Sequence, residues 1–135
     1  MRKLFTPDTA RAWVDVDLDA LVRNAQSFAA TTGVPMLPML KADAYGIGAV
    51  MAARALATVA PWGYGVATVD EARELHVNGI VGPLVIFTPL DPSMIEYVNA
   101  VAARPVIGDL VALRAWLERG SGPFHLEIDT GMRRS

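Results

Sequence analysis

The chain has 135 residues, 53% of them hydrophobic and 19% charged. That is enough for one buried core and too apolar for a disordered tract. The formal net charge is −2, with acids and bases interleaved, so no basic stripe marks it as a nucleic-acid binder. Cysteine is absent, which excludes disulfides and thiolate metal sites, and His76 and His125 lack metal-ligand spacing. No apolar run approaches the ~20 residues of a membrane span. The opening Met1–Asp8 has no signal-type apolar stretch, so a cytoplasmic protein is expected.

Strand-like and helix-like segments alternate along the chain. Residues 12–16 read as a strand. Residues 18–31 read as a helix, with Leu18, Leu21, Val22, Ala25 and Phe28 at helical spacing, Asp17 as N-cap and Gly33 as the stop. Residues 34–41 form a continuous apolar strand interrupted by Pro35 and Pro38. An alanine-rich helix over 48–60 stops before Pro61, and a short strand follows at 63–67. Thr68 and Glu71 have the spacing of a capping box for a helix over 69–77 closed by Gly79. Residues 83–88 are a buried-type strand, 92–101 a short helix, 104–107 a strand and 109–118 a helix ending at Gly120. The last strand, 124–128, runs into Asp129-Thr130-Gly131-Met132-Arg133-Arg134-Ser135.

Such alternation predicts βαβ units around a parallel sheet. The regular spacing suits a (β/α) barrel or a doubly wound sheet. About six strands are expected, against the eight strands and ~250 residues of a closed barrel. The chain is therefore expected to be a truncated piece of a larger α/β protein.

Polar groups gather where strands should end. Lys41, Asp43 and Tyr45 follow the 34–41 run, and Asp129, Thr130, Arg133 and Arg134 follow the last strand. In parallel α/β folds that edge is where active sites form. The chain has only two lysines, and Lys3 lies in a polar leader, whereas Lys41 ends an apolar run. Desolvation there lowers the pKa of an ammonium and frees an amine to attack a carbonyl. The plainer alternative is a strand-end lysine that snorkels to water. A tyrosine four residues on suits a phosphate or a proton, and an arginine suits a carboxylate. Gly46 and Gly48 make no dinucleotide fingerprint, because Met51 holds the third glycine position. They fit a tight turn into the next helix. Asp43 reads as a turn or helix-start acceptor, and Asp129 as the acceptor that fixes the Thr130-Gly131 turn.

Lys41-Ala42-Asp43-Ala44-Tyr45-Gly46 resembles the pyridoxal-phosphate lysine motif of alanine racemases. Three further blocks resemble that family in its order: Trp13 to Leu18 with Ala20, Leu21 and Asn24; Tyr64 to Ala67 with Glu71, Ala72 and Leu75; and His125 to Met132 with Arg134. The resemblance implies a partial (β/α)8 TIM-type barrel that is the amino-terminal portion of a longer enzyme with a carboxyl-terminal β domain. It implies pyridoxal 5′-phosphate as cofactor and a small amino acid as substrate. It also implies a homodimer that supplies D-alanine for peptidoglycan, with no metal.

By the same resemblance, Lys41 carries the cofactor and moves the α-proton on one face. Tyr45 donates to the cofactor phosphate. Arg134 lies near the cofactor's phenolic oxygen and the substrate carboxylate. Two departures stand out. Ile47 replaces a histidine of the family pattern and can neither donate nor titrate. Glu127 stands where many members have a lysine modified to a carbamate that braces the arginine. Glutamate offers an anion without modification, so Glu127 is expected to pair with Arg134; the opposing reading is an outward-facing strand residue. A broad-specificity racemase, a related decarboxylase and a non-catalytic remnant are the competing readings. Lys-Ala-Asp-Ala-Tyr-Gly argues against the decarboxylases.

Overall fold

The protein is described here from a computed structural model, which covers residues 12–132. Helix α1, Leu18–Thr32, starts where the Asp17 carboxylate accepts the Ala20 N–H and ends at Gly33 in the left-handed region, φ 67°. That amide holds the exposed Asp17 carboxyl below its ordinary range. Helix α1 packs against α3, Ala49–Leu56, through Ala25 and Leu56. A 3-10 turn, Ala57–Val59, ends α3 before Pro61.

Four parallel strands follow in chain order: β1 Tyr64–Val66, β2 Leu84–Ile86, β3 Arg104–Ile107 and β4 His125–Leu126. The helices between them are α4 Val69–Val77, α5 Ile95–Ala100 and α6 Leu110–Arg119. Thr68 and Glu71 form the expected capping box on α4, and Asp109 caps α6 by accepting from Val111 and Ala112. The sheet order is β1-β2-β3-β4 without reversal. A doubly wound sheet would reverse its order at a switch point; this order is that of a wall wound in one direction.

Register separates the two faces of the sheet. Tyr64, Val66, Leu84, Ile86 and Ile107 point into one hydrophobic cluster with Ala53, Leu75, Ile95, Val98, Ala112 and Trp116 of the helices. The Tyr64 hydroxyl donates to the Ala53 carbonyl at 2.9 Å, and burial pushes its phenol pKa up. Burying these apolar side chains, at roughly 1.5–3 kcal/mol each for Val, Leu and Ile, fixes the helix layer on this face. Gly65, Val85, Arg104, Val106 and His125 alternate to the opposite face.

The expected six strands are four, plus one isolated bridge, Met39↔Gly65, among the described residues. Residues 12–16 form no strand and are exposed throughout. Their β-forming residues find no ladder partner, and propensity alone does not make a strand. The 34–41 run pairs sparsely. Trp62 N–H donates to Met36 O at 2.9 Å, Gly65 N–H to Pro38 O at 2.8 Å, and Leu40 N–H to Gly65 O at 2.7 Å. Pro38 accepts in this ladder but has no N–H to give. Phe28 is also corrected: it is 67% exposed, while Ala25 alone on α1 is buried.

Candidate active site

Directly after Leu40 the chain turns the wrong way for L-residues. In α2, Lys41–Gly46, residues Ala42, Asp43, Ala44 and Tyr45 hold φ between 51° and 57° and ψ between 34° and 50°. This is a short left-handed helix, in which each Cβ-bearing residue costs roughly 1–2 kcal/mol. Gly46 and Gly48, at φ 87° and 103°, complete the turn into α3 as the sequence predicts.

Strain of this kind persists where the surroundings over-determine it. The Ala44 N–H donates to Leu40 O at 2.8 Å and the Gly48 N–H to Asp43 O at 2.9 Å. The Asp43 carboxylate accepts the Ala49 N–H at 2.6 Å. Asp43 is thus the turn and helix-start acceptor that the sequence suggests, and it does not line the cleft that holds Lys41. On the other side, Glu71 Oε1 accepts the Ala42 N–H at 2.8 Å.

The turn delivers Lys41 and Tyr45 to one cleft at the carboxyl-terminal edge of the sheet. Met39, Ala67, Phe87, Thr88 and Pro89 complete its lining, around about 510 Å³. That volume lies within the usual range of small-ligand sites. Lys41 is half-buried, Tyr45 is 66% exposed, and the Lys41 Nζ lies 5.8 Å from the Tyr45 ring centroid. Near the cleft floor a Cβ added at Gly65 would collide with Met39 Sδ and come within 3.0 Å of Phe87 Cε2. An amine and a phenol in one cleft fit an aldehyde-bearing phosphate. An amine can attack a carbonyl, and a phenol can donate to a phosphate oxygen.

Glu127 and Asp129 lie away from this cleft. Glu127 follows β4, and its N–H extends the ladder to Ile107 O at 2.9 Å. Its half-buried side chain alternates with the outward Leu126 and Ile128, so it is on the His125 side of the sheet and not outward-facing. It does not line the Lys41 cleft. The Asp129 carboxylate accepts the Gly131 N–H at 2.9 Å, fixing the expected turn. Lys3, Arg133 and Arg134 lie outside the described residues.

Sequence reading missed two things at this site. The handedness of the Lys41 turn has no signature in Ala-Asp-Ala-Tyr, because Ala and Tyr avoid positive φ and a single Asp tolerates it without specifying it. The capping box locates the Glu71 carboxylate at the end of β1, but not its bond to an amide 29 residues away.

The family described as Alanine racemase, N-terminal domain, matches residues 16–135. An alanine racemase from Synechocystis sp. is 35% identical over 133 residues, 92% of this chain and 36% of the relative. One from Neisseria meningitidis serogroup C is 37% identical over 126 residues, 90% of this chain and 36% of the relative. The crystal structure of alanine racemase from E. faecalis superposes with a TM-score of 0.81 at 29% identity, over 88% of this chain and 34% of that one. The chain thus spans about a third of the length of these relatives, with the Lys41 turn and all four strands inside the matched region. Over that region the chain belongs to the alanine racemase family, to its N-terminal domain.

Proposed function

We propose that this chain is the cofactor-bearing amino-terminal part of a pyridoxal-phosphate-dependent alanine racemase. The observation that carries the reading is the shared cleft of Lys41 and Tyr45 at the carboxyl-terminal edge of a parallel sheet. The family domain is an α/β barrel, and four parallel strands in sequential order support a wall of such a barrel. Closure to eight strands and a separate carboxyl-terminal β domain belong to the proposal.

Lys41 would hold the cofactor through Nζ; once the substrate amine takes its place on the cofactor carbonyl carbon, the freed Nζ amine would take or return the α-proton on one face of the substrate. Tyr45 holds the phosphate through its phenol. When bound, pyridoxal phosphate supplies the electron sink for the carbanion. Positioned proton transfer by the amine contributes roughly 10²–10⁴-fold. Arg134 holds the substrate carboxylate with two parallel hydrogen bonds, and Glu127 orients Arg134. Exchange on the opposite face needs a second base, which a homodimeric partner contributes. The substrate is a small amino acid, and a cytoplasmic enzyme of this kind supplies D-alanine for cell-wall peptidoglycan. Among the described residues no helix is long and apolar enough to cross a membrane, and no cluster of metal-ligating side chains occurs.

The test is covalent. The chain is mixed with pyridoxal phosphate, reduced with borohydride, and mapped by mass spectrometry. Label on Lys41, lost in Lys41→Ala, is the expected result. Label confined to Lys3 and the amino terminus, or none, overturns the reading. The 135-residue chain by itself is expected not to interconvert L- and D-alanine, because one lysine serves one face.

A further inference from the structure

Glu71 does more than cap α4. Its Oε2 accepts the Ala67 N–H at 2.7 Å and the Thr68 N–H at 3.2 Å, at the end of β1. Its Oε1 accepts the Ala42 N–H at 2.8 Å, the amide next to Lys41. One half-buried carboxylate therefore ties the sheet edge to the first residue of the left-handed turn. Among the described residues it is the one side chain from outside residues 40–49 that hydrogen-bonds this turn. Asp43 pins the far end, but only to the adjacent α3. The two carboxylates divide the task. Asp43 joins the turn to the helix that follows it, and Glu71 joins it to the strand whose end forms the cleft.

We propose that Glu71 is a positioning residue for Lys41. It holds the strained turn against β1 so that the amine is presented to the cleft in one orientation. The proposal rests on the reading of Lys41 as the cofactor lysine. A carboxylate suits the role because it is acceptor-only and faces three N–H groups. A carboxamide at the same place must turn an NH₂ toward at least one of them.

Glu71→Gln and Thr68→Ala separate positioning from capping. Thr68→Ala removes the hydroxyl that accepts the Glu71 N–H at 3.2 Å and leaves the link to Ala42 intact. Both variants should unfold at lower denaturant than the parent chain. Only Glu71→Gln should slow borohydride-trapped pyridoxal-phosphate labelling of Lys41, on the order of tenfold to hundredfold, and speed hydrogen exchange of the Ala42 amide. Glu71→Asp keeps the charge on a shorter stem and should fall between. Lys41 labelling and Ala42 exchange at parental rates in both Glu71 variants overturn the proposal. If the parent chain itself fails to label Lys41, the cofactor reading falls, and Ala42 exchange alone then judges the clamp.

Discussion

At the amino-terminal end of the sheet, side chains make the contacts. The Arg104 guanidinium sits 5.0 Å from the Trp62 ring centroid, and Trp62 meets His125 edge-on at 5.8 Å and 84°. The backbone there is ordinary and close-packed: a Cβ on Gly63 would strike the Pro83 carbonyl oxygen that accepts the Tyr64 N–H. At the carboxyl-terminal end the backbone itself is unusual, and the side chains are left comparatively free. Four residues stand in the left-handed region so that Lys41 and Tyr45 can face a cleft. One end lowers the free energy by packing. The other gives some of it up to aim two functional groups, and two carboxylates hold the cost in place.

The difference predicts opposite responses to glycine chemistry. Gly63→Ala should be the most damaging change, by about 3 kcal/mol, because backbone must move to admit the methyl group. The midpoint of a urea titration measures it. A shift of a few tenths would show that the amino-terminal end is looser than its packing implies. Arg104→Ala comes next. It removes a cation–π contact of roughly 0.5–2 kcal/mol. In folded molecules it should leave the rate of Lys41 labelling unchanged. Slower labelling would mean that the two ends of the sheet are coupled and that the division drawn above is false.

The same division explains what the sequence made legible. Helices α1, α4 and α6 could be placed within a residue or so because their signals are local: Asp17 with Gly33, Thr68 with Glu71, and Gly120 at the end of α6. The alternation of elements was enough for a parallel α/β sheet. Residues 12–16 were misread because a strand is defined by a partner, and pairing is not written in the strand itself. Lys41 and Tyr45 were visible as a motif and do share a cleft. The route by which they reach it was not visible. It depends on handedness and on Glu71, whose decisive bond spans 29 positions that no periodicity connects.

Ala42→Gly gives the smallest expected effect and the sharpest sign. Ala42 is exposed and stands at φ 51°, so glycine there sacrifices little packing. In a right-handed helix the change should destabilise by about 1 kcal/mol. In the left-handed region it relieves roughly 1–2 kcal/mol of Cβ crowding. Against this stands about 0.4–1 kcal/mol of extra freedom in the unfolded chain. The balance is a gain of about 0.5–1 kcal/mol, read as a higher urea midpoint. A loss of stability would mean that Ala42 is not left-handed in solution. A gain accompanied by slower labelling of Lys41 would carry the comparison further. The alanine would then be keeping the turn rigid at the expense of stability, with its methyl group excluding the alternative conformations that glycine admits.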